Sequence, residues 1–155
     1  MAIAAVVMLS RHFVGEGAGL LVASMGASAV LLFALPHGPL SQPWAVLAGH
    51  GSSAVVGVLC SALIQEPQLA GALAVGASIG LMQLLRCVHP PGGATALSAV
   101  IGGSDVHAMG LQYLFTPVLL NAGIILAVAF AFHSAPRGRR YPAALQPAER
   151  TRELG

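Results

Sequence analysis

The polar positions of this chain fall into a few short clusters separated by long apolar runs. Four runs stand out: Ala18–Leu35 with 18 residues, Trp44–Ile64 with 21, Leu69–Val88 with 20 and Leu111–His133 with 23. At about 1.5 Å per helical residue they reach roughly 27–35 Å, enough to cross a hydrocarbon core of about 30 Å. Stretches such as Val118–Leu126 show no polar–apolar alternation, which argues against barrel strands. The pattern predicts an all-α, polytopic membrane bundle of about four transmembrane helices.

The breaks between the runs carry their own information. Pro36-His37-Gly38-Pro39-Leu40-Ser41-Gln42-Pro43 closes the first run, because proline gives no N–H to the helix ladder. Gln65-Glu66-Pro67-Gln68 is a tight polar turn. His89-Pro90-Pro91-Gly92-Gly93 closes the third run, and the apolar stretch Ala94–Ile101 follows it. Eight residues give about 12 Å, so this stretch reads as a half-helix that re-enters or lies at the interface. Residues 1–17 are expected to be a short N-terminal segment, either a truncated helix or a piece packed on the bundle; its apolar Met1–Leu9 lacks the flanks of a removable signal peptide. Residues 18–133 form the transmembrane domain, and 134–155 a basic tail rich in Pro, Arg and Glu, expected to be disordered.

Sliding the chain on itself by 54 residues brings Ala23, Ser24 and Gly26 onto Ala77, Ser78 and Gly80. The same shift places Pro36 and Gly38 on Pro90 and Gly92, Ser41 on Thr95, and Gly49 on Gly103. Two similarly oriented units follow, 18–64 and 69–133, forming a parallel repeat about the membrane normal. Both proline breaks then lie on one side of the membrane.

Composition agrees with the pattern. Charged residues are 8% of the 155 and the mean hydropathy is +0.81, against roughly 25% charged in soluble domains. Between Gly17 and Pro136 the only Asp, Glu, Lys or Arg residues are Glu66, Arg86 and Asp105. Residues 1–133 carry a net −1, whereas the tail, with five Arg against two Glu, carries +3. A basic tail beside a membrane points to a cytoplasmic C-terminus and not to nucleic acid. With Arg137, Arg139 and Arg140 inside, alternating spans put Arg11 inside and both proline breaks outside. Arg86, near an outer end, runs against that arrangement.

The candidate chemistry concentrates at the breaks. A proline–glycine break before a short helix presents unpaired backbone N–H groups, a cradle for a small anion. Gly92 and Gly93 allow close approach, Thr95 adds a hydroxyl, and Ser41 is its counterpart at the first break. Arg86 precedes His89 by three residues and on a continuing helix shares its face. It either draws an anion in, anchors at the interface or pairs with Asp105. His89 and His37 either donate to an anion, relay protons, or cap helix ends. His50 and Asn121 are polar groups inside spans, where lack of a partner is expensive; Asn121 bridges two helices or lines a pathway. His107 and His133 lie near interfaces, and Trp44, Tyr113 and Tyr141 read as interfacial aromatics.

Other classes find less support. Cys60 and Cys87 sit in apolar runs without CxxC spacing, and no HxxxH pair occurs, so neither a metal site nor a cofactor is expected. Ser98, Asp105 and His107 lack a nucleophile-elbow context, which argues against an enzyme. Gly15-xxx-Gly19 and Gly76-xxx-Gly80 have the spacing for close helix contact. Because four spans of small residues make a thin wall, a homo-oligomer in the lipid bilayer is expected.

Leu85-Arg86-Cys87-Val88-His89-Pro90-Pro91-Gly92-Gly93-Ala94-Thr95-Ala96-Leu97 resembles the signature of the HPP family of integral membrane proteins, named for its His-Pro-Pro. Met25–Ala34 resembles the family's first signature. Gln42-Pro43-Trp44, Gly49-His50, Leu120-Asn121 and Gly138-Arg139-Arg140-Tyr141-Pro142 resemble others. The resemblance runs from about Ser24 to Pro142. It departs where Ser24 replaces an expected proline, Ala48 a glycine and Gly51 a larger apolar residue. It implies a four-helix membrane protein, in a family for which nitrite transport has been proposed in photosynthetic members. Transport of a small inorganic anion, with nitrite as candidate, across a bacterial inner membrane is the expected function. A non-transporting scaffold or sensor component, and metal handling, are the alternatives.

Overall fold

The computed structural model describes residues 2–134 and 141–142. Seven α-helices lie among them: α1 (Ala2–Val14), α2 (Ala18–Ala34), α3 (Pro43–Leu63), α4 (Pro67–Leu84), α5 (Pro91–Ile101), α6 (Ser104–Met109) and α7 (Leu120–Ser134). A wide helical turn, Leu114–Leu119, leads into α7. Proline occupies the first turn of α3, α4 and α5, where its missing N–H costs nothing. The Glu66 carboxylate closes the start of α4 by accepting from the Gln68 and Leu69 amides at 3.2 and 2.5 Å. Four helical stretches are long and apolar enough to span a membrane: Ala2–Ala34, Pro43–Leu63, Pro67–Leu84 and Leu114–Ser134. Most of the tail expected to be disordered lies outside the described residues.

The first of these stretches is not one straight rod. The His133 ring bonds the Leu32 carbonyl at 2.9 Å and Asn121 bonds Ser10 at 2.8 Å. Twelve residues of α7 separate His133 from Asn121, about 18 Å, whereas Ser10 and Leu32 would be roughly 33 Å apart on a single helix. The bend falls at Gly15, whose φ of +52° lies in the left-handed region that glycine adopts freely.

Hydrogen bonds and close contacts order the helix ends into two faces. On one face, Ser41 bonds the Leu31 carbonyl, Trp44 Nε1 donates to the Leu85 carbonyl, and the His89 ring bonds the Leu40 carbonyl. The two proline breaks therefore touch on the same face. On the other, Gly17 abuts Gly102 and Gly15 lies by Asp105, while Ser61, Ala62, His107 and Gly110 line one cavity. α2 and α4 run toward the break face, and α3 and α5 run away from it. α7 runs from the Gly110 side back to the break face, where His133 meets Leu32.

This path corrects the expected alternation. The chain makes a further crossing in α5, whose 11 helical residues are extended by the non-helical descent from Arg86 to Pro90. That crossing reverses the sense of the last span, so the end of α7 and both breaks share one face. Three smaller expectations also change. α4 ends at Leu84, and Arg86 adopts φ +51°, so Arg86 and His89 do not share a helix face. Arg86 and Asp105 lie at opposite ends of the bundle and do not pair. Tyr113, Tyr141 and His133 are buried; the Tyr141 hydroxyl donates to the Ser41 carbonyl at 2.7 Å. Burial pushes that phenol up to about 12, so it stays protonated and donating.

The core runs along α2, with Leu21, Met25 and Leu32 against Val46, Val118, Ile125 and Tyr141. α3 and α5 pack with almost no space between backbones. A Cβ on Gly57 would lie 2.5 Å from the Ala96 carbonyl oxygen, and one on Gly92 would lie 2.7 Å from Ser53 Oγ. Small residues here permit an approach that side-chain packing in lipid rewards.

Candidate functional site

Three helices and one break converge on five buried polar side chains: Ser24 and Ser28 of α2, His50 of α3, Thr95 of α5, and His89. Serines four residues apart share one face of α2 and flank its midpoint. The non-helical segment before Pro91 carries the imidazole of His89 down beside them. The Gly49–Gly92 contact, with a would-be Gly92 Cβ 2.9 Å from the Gly49 carbonyl oxygen, brings His50 to the first turns of α5. The cluster thus lies inside the bundle, near the midpoint of α2 and where the helix before α5 is broken.

Its bonds form a chain that branches once, at Ser28. Ser24 Oγ donates to the Pro91 carbonyl at 2.6 Å and meets Thr95 Oγ1 at 2.9 Å. Thr95 Oγ1 meets His50 Nδ1 at 2.8 Å, and His50 Nε2 meets Ser28 Oγ at 2.8 Å. Ser28 Oγ meets His89 Nε2 at 2.9 Å, and His89 Nδ1 donates to the Leu40 carbonyl at 2.7 Å. Ser28 also approaches the Ser24 carbonyl at 3.1 Å, the usual back-contact of a helical serine. The two imidazoles stand edge to face with centroids 4.8 Å apart.

The structure brings together three of the expected site residues, His50, His89 and Thr95, and distributes the others. Gly92 and Gly93 sit at the start of α5, but their amides already bond the His89 and Pro90 carbonyls at 2.8 and 3.1 Å. The free-amide cradle is therefore closed, and Gly92 serves close packing. Arg86 is exposed on the break face and lines an open cavity of about 340 Å³ with Pro39, Leu40, Gln83 and Val88. His37 is exposed at the first break. Ser41 ties that break to Leu31 and Tyr141. Asn121 bridges α7 to Ser10 of α1, with its Oδ1 left without a partner. Ser24 and Ser28 were not singled out for the site. Their signal was a pair of hydroxyls at helical spacing in an otherwise apolar run, and it is weak because serine hydroxyls commonly bond their own helix. No group of three or more His, Cys, Asp or Glu residues stands ready for a metal among the described residues.

A helical bundle with several membrane crossings, a broken helix meeting a buried polar cluster, and apolar outer faces define an integral membrane protein. The HPP transmembrane region model matches residues 1–142, and the chain belongs to that family. Two transmembrane proteins of Dictyostelium discoideum are 44% and 39% identical to it over 126 residues. Each alignment covers 79% of this chain, which spans 44% and 40% of the respective relatives. No solved structure matches.

Proposed function

We propose that this protein carries a small inorganic anion across the membrane, with nitrite as the candidate on family grounds. One observation carries the reading. The Arg86-lined cavity on the break face is bounded by Leu40, and the Leu40 carbonyl is the end of the buried hydrogen-bond chain. A guanidinium at a mouth attracts anions, and hydroxyl and imidazole donors beyond it receive them without a fixed charge. Polar groups at membrane depth mark solute pathways.

The charges support an orientation with the C-terminus cytoplasmic. Arg86 and the end of α7, after which the sequence becomes arginine-rich, share the break face, whereas Glu16, Glu66 and Asp105 occur with Arg11 toward the other. The positive-inside rule then places both breaks in the cytoplasm, in a bacterial inner membrane. The test is proteoliposome flux across nitrite, nitrate, formate, chloride and divalent metals. Nitrite uptake that falls roughly ten- to a hundredfold in Arg86→Gln, the loss of one charge-assisted contact of about 1.5–3 kcal/mol, supports the proposal. Silence across the panel favours a scaffold or sensor, for which the self-satisfied cluster is structural.

A further inference from the structure

The bend between α1 and α2 leaves an open cleft at the face opposite the proline breaks. Its volume is about 380 Å³, and Val7 and Arg11 of α1, Glu16 at the bend, and Gly19 and Val22 of α2 line it. Sites for small ligands run to roughly 300–1,000 Å³, so the cleft is large enough for one. A Cβ on Gly19 would meet nothing within 4 Å; among the described residues nothing covers that wall.

The lining changes character from the bilayer interior outward. Val7 lies one turn below Arg11 on the same face of α1, about 6 Å deeper. Val22 lies one turn below Ala18, the first residue of α2. Glu16 is beyond both, in the short turn Gly15–Gly17 that joins the helices. Asp105 stands beside that turn, with its Oδ2 2.9 Å from where a Gly15 Cβ would be. The order is therefore apolar, then cationic, then anionic. Arg11 and Glu16 are both exposed. They are five residues apart across the bend, and among the described residues neither has an ion-pair or hydrogen-bond partner.

A phospholipid with a primary ammonium presents complementary groups in the same order: acyl chain, phosphate, ammonium. We infer that the cleft binds phosphatidylethanolamine from the leaflet at this face. An acyl chain lies on Val7 and Val22, the Arg11 guanidinium donates to the phosphate oxygens, and the ammonium donates to the Glu16 carboxylate. Basic pockets between membrane helices commonly hold anionic headgroups, but the outer rim here opposes one. Phosphatidylglycerol would answer Arg11 and bring no cation to Glu16 and Asp105, whose carboxylates repel added negative charge. Phosphatidylcholine carries its positive charge without an N–H and cannot donate to either carboxylate. Soluble phosphoethanolamine has both charges and nothing for the apolar floor.

Binding is measured on the purified full-length protein in detergent, by native mass spectrometry and thermal unfolding. The probes are the dioleoyl forms of the three lipids, and phosphoethanolamine. Phosphatidylethanolamine is expected to fill a single saturable site and to raise the Tm most. Arg11→Gln weakens it roughly ten- to a hundredfold, the loss of one charge-assisted contact, and Glu16→Gln narrows its preference over phosphatidylcholine. The double variant Arg11→Glu, Glu16→Arg tests the order itself. It keeps the same two charges at exposed positions, so its Tm without lipid matches wild type, yet the headgroup meets them reversed. Affinity for phosphatidylethanolamine then falls by roughly tenfold or more. Wild-type affinity in the double variant or in Arg11→Gln would overturn the site. So would equal affinity for the three lipids, or stabilisation by phosphoethanolamine as large as by the lipid. No flux enters the measurement, so the outcome is independent of whether the protein carries nitrite.

Discussion

Gly57 and Gly92 are fixed by what a single methyl group would strike. A Cβ at Gly57 meets the Ala96 carbonyl oxygen at 2.5 Å, and one at Gly92 meets the Gly49 carbonyl oxygen at 2.9 Å, whereas Gly19 and Gly123 have nothing within 4 Å. Backbone atoms cannot swing aside as a flexible side-chain end does. Gly57→Ala and Gly92→Ala are expected to destabilise the bundle by about 1–3 kcal/mol through overpacking. Gly19→Ala and Gly123→Ala leave stability unchanged or raise it by about 0.5–1 kcal/mol. Thermal unfolding of the four purified variants in one detergent checks this, and a uniform response would refute the packing assignment. The sequence shows that glycine is abundant, but every helix face reads as Gly and Ala, so it cannot distinguish the packed glycines from the open ones. His50 was legible as a polar group inside a span, and His89 and Thr95 as donors at the second proline break. Their partners Ser24 and Ser28 were not, because only the fold decides whether a helical hydroxyl turns to its own backbone or to a neighbour.

Among the elements, α5 shows how far a run of residues can be trusted. Its apolar stretch looked too short to cross, and the helix itself is short. The crossing is completed by non-helical residues before Pro91, a kind of segment that leaves no hydropathy signal and is tolerated only where protein surrounds it. That missing crossing accounts for the wrong sense given to the last span and for the apparent misplacement of Arg86. The N-terminal helix was underestimated too, since α1 continues through the polar Ser10, Arg11 and His12 to Val14. Its hold on the bundle includes one buried polar contact, Asn121 with Ser10. Asn121→Ala is expected to cost about 0.6 kcal/mol and no more than about 1.7, the range for such contacts in membranes. The effect belongs to one element: hydrogen exchange should rise in α1 while α3 and α5 stay protected. Unchanged exchange in α1 would show that apolar packing alone holds it.

For the whole molecule, the two faces make a topology that labelling can read. His37→Cys and Arg86→Cys, in a background lacking Cys60 and Cys87, should react with an impermeant thiol reagent from the same side of sealed vesicles. Glu66→Cys and Asp105→Cys should react only from the other. Reaction of positions 37 and 86 from opposite sides would break the arrangement of the proline breaks. Assembly has its own test in α4, where Gly76 and Gly80 are exposed and face open space. Gly76→Ile meets no obstacle within the chain, so a loss of oligomer mass in lipid would place a neighbouring copy there; unchanged mass would remove α4 from any interface. The polar cluster also constrains how the protein is made. Ser24, Ser28 and His50 emerge from the ribosome with α2 and α3, but Thr95 and His89 follow only with α5, which ends 37 residues after Ile64. At about 5–20 residues per second the early half waits roughly 2–7 s with its hydroxyls and imidazole facing lipid or one another. Insertion of the first two spans should therefore be reversible until the His-Pro-Pro segment arrives, and a chain arrested before residue 89 should stay with the translocon or an insertion chaperone.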